Sequence, residues 1–172
     1  IPYKPKHHFP VSTAGVKEGD FAMIMGYPGS TDRFLSSHGV KLALDVEQPS
    51  RVKVRRAKLD IYDEFMDRDN ATRIKYASKH AQVSNYWKYF IGQQRGLKRL
   101  KVYDKKQTQE AELMAWVNAD ATRKAKYANI LTDLDNGYKE RSKFEKANVY
   151  MQEGAFGSEA IVPLRRLEAG VW

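Results

Sequence analysis

The sequence contains no cysteine, and this absence excludes disulfide bonds, thiol nucleophiles and thiolate metal sites. No apolar run approaches the ~20 residues that a membrane-spanning helix requires. The first twelve residues include three prolines and hold no apolar region of the kind found in signal peptides. Because no regular element precedes this extended start, we expect the chain to be a segment of a longer protein.

A recognisable catalytic motif is also lacking. None of the four histidines stands in such a motif, and no serine has the glycine-flanked context that serine hydrolases use. Four carboxylates at helical spacing lack the Glu-x-x-His pairs of a di-metal bundle, so they indicate a salt-bridged exposed face: Asp60, Asp63, Glu64 and Asp67. We predict no metal site, no cofactor and no catalytic residue within this chain.

Positive charge is in excess, with 30 Lys+Arg against 21 Asp+Glu and a net charge of +9. Such a balance suits an anionic partner, but acidic residues are interleaved with the basic ones throughout. The densest basic tracts, residues 51–58 and 95–106, contain no nucleic-acid-binding motif. A solvated helical surface is therefore favoured, and a basic helical module that binds nucleic acid or protein is the alternative.

The longest helical pattern runs from Asn70, the expected N-cap, to Leu100. It contains no proline, and its apolar residues recur at helical spacing in two stripes. The first stripe consists of Tyr76, Val83, Trp87, Phe90 and Ile91. The second stripe consists of Ile74, Ala77 and Ala81. We therefore predict one long helix, from Asn70 to Leu100, with apolar residues along two stripes of its surface.

Asn85 is the most informative residue of this helix. A step of eleven residues from Ile74 returns to within about 20° of the same face, so Asn85 continues the second apolar stripe. An amide on such a face must find hydrogen-bond partners or face a cleft. Composition alone favours Trp87 in the core, with Tyr86 and Tyr89 reaching water, over a binding site formed by these aromatic residues.

The N-terminal part reads differently. Residues 20–25, within a strand predicted over about 20–26, form a short apolar run between Gly19 and Gly26. The chain offers this strand no partner, so its sheet is expected elsewhere in a longer protein. Gly26, Pro28 and Gly29 are interpreted as a structural turn, since the loop lacks the spacing and lysine of a phosphate-binding loop.

The remaining patterns predict a mainly α architecture. We expect a short helix over residues 40–46 and a second from Pro49 to about Arg68. The predicted apolar face of that second helix is Val54, Ala57, Ile61 and Phe65. Further helices are expected over residues 107–117 and after an Asp120 cap, with an interruption at Asn136-Gly137 before residues 138–152.

Two motifs of the sequence resemble those of a known family. DFAMIMGYPGSTDR, followed by a long helical stretch that contains SNYWK, resembles the bacterial dipeptidyl-peptidase 7 and 11 family of serine exopeptidases. The likeness covers nearly the whole chain, from Tyr3-Lys4-Pro5-Lys6 to the tail. It implies a chymotrypsin-like double β-barrel into which an α-helical cap domain is inserted. Residues 1–36 would be an edge of the barrel, and residues 37–172 would belong to the cap.

The resemblance also implies a role for Asn85. An asparagine of the helical domain helps to hold the α-ammonium group of the substrate in this family, and Asn85 in SNYWK matches its position. Tyr86 and Trp87 would be its neighbours in the wall of the site. The catalytic histidine and aspartate would lie before residue 1 and the serine after residue 172, so this segment alone should be inactive.

The same resemblance implies the surroundings of the parent protein. Its partners would be peptide substrates and the remaining β-barrel of the same polypeptide, with no nucleic acid and no membrane span, and a homodimer is left open. The parent would be periplasmic or at the cell surface. The side-chain preference at the cleavage site does not follow from this segment.

Overall fold

A computed structural model describes residues 3–23, 26–27 and 31–157. The chain divides into two units, Ile1–Arg33 and Phe34–Trp172. The predicted mainly α fold is confirmed: the described part of the second unit is helical almost throughout, and no strand occurs among the described residues. The assignment of residues 1–36 to a barrel edge and of residues 37–172 to a cap stays a prediction.

Six α-helices and two π-helical turns follow one another in the described part of the second unit, residues 34–157. The α-helices are α1 (Ser37–Leu42), α2 (Gln48–Met66), α3 (Asn70–Arg99), α4 (Val102–Asn118), α5 (Ala121–Tyr127) and α6 (Ile130–Tyr150). The first π-helical turn is Ala43–Glu47 and the second is Met151–Ala155. The first joins α1 to α2 without a break, and the second continues α6 at its C-terminal end.

The strand predicted over about 20–26 is not formed where the structure describes it. Residues 20–23 have no regular secondary structure and are exposed, as are Gly26 and Tyr27. Ile24 and Met25 lie outside the described residues, and so do Pro28 and Gly29 of the predicted turn and the tail from residue 158. A strand needs a neighbouring strand to pair its backbone groups, and the described residues supply none.

The ends of α3 show how its neighbours delimit it. Asp69, rather than the predicted Asn70, is the N-cap, because its carboxylate accepts a hydrogen bond from the Thr72 N–H at 2.8 Å. At the other end Lys101 adopts a left-handed conformation with φ of 50°, and the chain turns there into α4. The predicted Asp120 cap is confirmed, since Asp120 accepts from the Arg123 N–H at 2.8 Å.

Helices α2 and α3 pack side by side as the main helix pair of the unit. The first stripe of α3 is partly buried along its length and supplies the rings that meet α2. The second apolar stripe is exposed, and Ile74 is 79% exposed. On α2 the predicted face is also wrong, because Ile61 and Phe65 are about half exposed while Leu59 is buried.

The fully buried apolar side chains come from different helices. They are Leu59 of α2, Val117 of α4 and Val149 of α6. Helix α1 approaches α6 at Gly39, where an added Cβ would lie 2.5 Å from the Leu35 side chain and 2.6 Å from the Tyr138 hydroxyl, so a side chain there would displace both of them. The predicted interruption at Asn136-Gly137 does not occur, because α6 runs through both residues and its start lies at Ile130.

Candidate functional site

The candidate site is the stretch of α3 from Asn85 to Phe90. Helical periodicity divides its side chains between two directions: Trp87 and Phe90 are partly buried, whereas Asn85, Tyr86 and Tyr89 are exposed. No hydrogen bond joins the Asn85 side chain to another residue of the described chain. The amide of Asn85 is therefore available to a ligand on the surface of α3.

Three arginines of α2 cover the rings of this stretch: Arg51, Arg55 and Arg56, the last over Trp87 at 5.2 Å. The guanidinium carbon of Arg55 lies 5.1 Å from the ring centroid of Tyr86 and 5.7 Å from that of Phe90. Arg51 lies over Phe90 at 5.4 Å. Such contacts are attractive because the face of an aromatic ring is electron-rich. They hold α2 and α3 together beside Asn85.

Glu153, in the second π-helical turn, binds two of these arginines. Its carboxylate accepts hydrogen bonds from Arg51 Nη1 at 2.8 Å and from Arg55 Nη2 at 2.8 to 3.0 Å. The Glu153 side chain is 10% exposed, and that of Arg55 is 16% exposed. Salt and water screen the attraction between such shielded charges less than they screen a surface pair. Removal of one partner would leave the other charge buried and unpaired.

Lys58 adds a second link between α2 and the end of the helical unit. Its ammonium group donates a hydrogen bond to the Gly157 carbonyl at 3.1 Å. Burial lowers the pKa of Lys58, and the nearby Glu153 carboxylate opposes that shift. An added Cβ at Gly157 would lie 2.6 Å from the Glu153 backbone carbonyl oxygen and 2.8 Å from the Lys58 nitrogen, so a side chain there would require the backbone to shift.

A second polar cluster joins the first π-helical turn to α6. Arg141 donates to Glu47 from Nη2 at 2.7 Å and to Glu145 from Nε at 2.8 Å. Burial, followed by repulsion from Glu145, raises the pKa of Glu47. The hydrogen bond from Arg141 lowers the pKa of Glu145 despite its burial. This cluster ties the first π-helical turn to α6, and it does not include Asn85 or any other residue of α3.

The structure brings the sequence-predicted residues onto one turn of α3 but gives them different surroundings. Tyr86 is 47% exposed with its ring under Arg55, while Trp87 is half-buried with Arg56 at 5.2 Å. That arrangement agrees with a packing role for Trp87 and with Tyr86 reaching water. The binding role of Asn85, and of Tyr86 and Trp87 as its wall, stays a prediction.

Sequence reasoning missed Arg51, Arg55 and Glu153. It interpreted residues 51–58 as a solvated basic surface, yet Arg51 and Arg55 are largely shielded. The four-residue spacing of these arginines puts both on one helix face and was the available signal. Glu153 carried no such signal, because it follows Arg51 by 102 residues.

The acidic face of α2 is engaged in ion pairs, as predicted. Arg56 binds Asp60 and Asp63, and His80 of α3 lies 2.8 Å from Asp63. Among the residues that the structure describes, no three potential ligands are grouped so that they could hold a metal ion. None of the described helices is long and apolar enough to cross a membrane.

Comparison with known proteins adds a family to this geometry. The family model of Peptidase S46 matches residues 1–168. Dipeptidyl-peptidase 7 of Porphyromonas gingivalis is 44% identical over 161 residues, which cover 94% of this chain and 22% of that protein. Dipeptidyl-peptidase 7 of Porphyromonas endodontalis is 45% identical over 165 residues, which cover 96% of this chain and 20% of that protein.

An Asp/Glu-specific dipeptidyl-peptidase of Capnocytophaga gingivalis is 44% identical over 140 residues, or 81% of this chain and 20% of that protein. The chain thus spans about a fifth of the length of these curated relatives. Relatives with differently described specificities match the same segment.

Proposed function

This chain belongs to the peptidase S46 family, and we propose that it is the α-helical cap segment of a serine-type dipeptidyl-peptidase. The parent enzyme releases dipeptides from the free N-terminus of peptides by acyl transfer to a serine outside this segment. The cap covers the cleft of the β-barrel, and Asn85 helps to anchor the α-ammonium group of the substrate.

The observation that supports this role is the Asn85 amide, exposed on α3 and without a protein partner among the described residues. Its carbonyl oxygen can accept an N–H from an ammonium group. An exopeptidase that removes two residues must recognise that ammonium at a fixed distance from the scissile carbonyl. Two extended residues span about 7 Å, so an acceptor at that distance determines the cleavage position.

The proposal extends to the surroundings of the parent. Its partners are peptides and the β-barrel of the same polypeptide, with a homodimer as a further partner, and it acts in the periplasm or at the cell surface. The alternative, a basic module that binds nucleic acid, is weakened by the ion pairs that engage Arg51, Arg55 and Arg56. Salt-dependent retention of this chain on DNA near physiological ionic strength would favour that alternative.

The test is Asn85→Ala in the full-length enzyme. A hydrogen bond to a charged group contributes roughly 1.5–3 kcal/mol, so kcat/KM for a dipeptidyl substrate with a free N-terminus should fall about 10- to 150-fold. The loss should vanish for an N-blocked substrate, which has no ammonium group to lose.

Asn136→Ala is the matched control, because Asn136 is an exposed helical asparagine on α6. It should leave kcat/KM unchanged for both the free and the N-blocked substrate. Equal losses on the free and the blocked substrate, or unfolding of the enzyme by Asn85→Ala, would make Asn85 a structural amide and contradict the assignment.

A further inference from the structure

The Glu153 carboxylate is the most constrained acidic group near α3. It is 9% exposed as a residue, and it receives guanidinium groups from two successive turns of α2. The surface ion pair between Glu64, near the end of α2, and Arg68, just after that helix, has side chains that are more than half exposed. Exposed pairs contribute little to stability, whereas a shielded pair fixes the geometry of the groups it joins.

Glu153 lies in the second π-helical turn, at the centre of Met151–Ala155. A π-helical turn closes hydrogen bonds between residues five apart, so it holds one residue more than an α-helical turn. From this irregular turn the Glu153 carboxylate binds both Arg51 and Arg55.

The two arginines connect that carboxylate to α3. A guanidinium group is planar, so when one edge binds a carboxylate its flat face can stack on a ring. The guanidinium group of Arg55 lies over the rings of Tyr86 and Phe90, and that of Arg51 lies over Phe90. Tyr86 directly follows Asn85 in α3, so the contacts that hold its ring also limit movement of the Asn85 backbone.

We propose that Glu153 is a positioning residue for substrate capture, because it holds Arg51 and Arg55 against Tyr86 and Phe90 and thereby fixes the turn of α3 that carries Asn85. This inference rests on the proposed function of Asn85 as the ammonium-binding residue. Glu153 itself touches no substrate. Its effect is on the binding step, since it determines the position of an acceptor and supplies no group to the chemistry.

The test uses Glu153→Gln and Arg55→Lys in the full-length enzyme. Glu153→Gln removes the charge that orients the arginines, and Arg55→Lys keeps a positive charge but loses the planar group. For each variant KM for a free N-terminal substrate should rise about fivefold while kcat changes less than about twofold, a loss on the scale of one cation–π contact. Hydrogen exchange should become faster for the amides of residues 85–90 and stay unchanged for residues 74–80.

Glu64→Gln is the matched control, because it removes an ion pair at the far end of α2 that touches none of these rings. It should leave KM and hydrogen exchange unchanged. In an Asn85→Ala background, Glu153→Gln should have no further effect on KM, since the acceptor that it positions is gone. An effect of Glu153→Gln that persists in that background shows that Glu153 acts elsewhere and overturns the inference.

The outcomes separate this inference from the proposed function. If Asn85→Ala weakens capture of the free N-terminus but Glu153→Gln and Arg55→Lys leave KM unchanged, the positioning role is wrong and the role of Asn85 stands. If Asn85→Ala has no selective effect, the proposed function fails and the inference fails with it. If Arg55→Lys behaves like the unaltered enzyme, charge rather than stacking is what matters, and the inference is overturned.

Discussion

The guanidinium group of Arg56 lies over the indole of Trp87, with its central carbon 5.2 Å from the ring centroid. Arg56 is held in that position by Asp60 and Asp63 of its own helix. The indole Nε1 beneath it is buried and has no hydrogen-bond partner among the residues that the structure describes. Trp87 therefore acts through packing between α2 and α3, in contrast to the exposed Asn85 two residues before it.

Substitutions of Trp87 and Asn85 should separate packing from binding. Trp87→Ala should destabilise the chain by about 2–3 kcal/mol, less than the loss of a fully buried tryptophan. Trp87→Phe should cost less than about 1 kcal/mol, because it keeps a ring under Arg56 and removes the unpaired N–H. Asn85→Ala should stay within about 0.5 kcal/mol, as expected for an exposed position. Thermal melts measure all three, and a large loss for Asn85→Ala would contradict this division.

The buried and exposed apolar residues of the helix pair should differ strongly in their effect on stability. Leu59→Ala removes a side chain that is 1% exposed and should lower the free energy of unfolding by about 2–5 kcal/mol. Ile74→Ala, at a position that is 79% exposed, should change it by less than about 0.5 kcal/mol. Urea unfolding of the two variants measures the difference, and similar losses would restore the second stripe of α3 as a core face.

Glu47 and Glu145 should make the stability of the fold depend on pH in opposite directions, because their pKa values are shifted in opposite directions. The pKa of Glu47 is raised from its ordinary value of 4.5, so its contribution to stability is present below that value and is lost as the pH rises through the folded pKa. The pKa of Glu145 is lowered, so its contribution is present above 4.5 and is lost as the pH falls through the folded pKa. Arg141 and Arg51 face both carboxyl groups and oppose the shift of Glu47.

At pH 7 Glu47→Gln should therefore raise the melting temperature, because glutamine resembles the neutral acid that the site favours. Glu145→Gln should lower it, because the charge that Arg141 binds is lost. The effect of Glu47→Gln should shrink already as the pH falls towards 4.5, because Glu47 gains its proton above that value, whereas the effect of Glu145→Gln should shrink only below 4.5. Melting curves between pH 3 and pH 7 test the pair, and changes of the same sign at pH 7 would contradict the prediction.

The purified chain should hydrolyse no dipeptidyl amide or ester. It contains no histidine or serine in a catalytic context, and acyl transfer needs both a nucleophile and a base. The full-length enzyme under the same conditions is the positive control. Turnover by the chain alone that a serine-directed inhibitor abolishes would contradict this prediction.

Much of the local structure followed from the sequence. The periodic apolar residues between Asn70 and Leu100 predicted α3, which ends one residue earlier, at Arg99. The Asp120 cap was predicted as well, whereas the cap of α3 lies one residue before the predicted Asn70. Such features depend on residues within a few positions of each other, so short patterns contain the information that determines them.

The candidate site shows the limit of such patterns. The residue Asn85 and its position on a helix were predictable, and SNYWK pointed to the family to which the chain belongs. That Arg55 lies over Tyr86 was not predictable, because the stacking depends on how α2 and α3 are aligned. The two π-helical turns also escaped prediction, since each is stabilised by contacts that its side chains make with other helices.

The sequence by itself determined that the chain is mainly helical, that Asp120 begins a helix and to which family the chain is similar. Only the tertiary structure decided which of the two stripes of α3 faces α2 and that Glu153 binds Arg51, 102 positions away. The physical reason is that helix formation is governed by neighbours along the chain, whereas burial depends on which surfaces meet. In an isolated helix, two stripes of similar apolar character have no difference in their preference for burial. Only packing against other helices determines which of the two is buried.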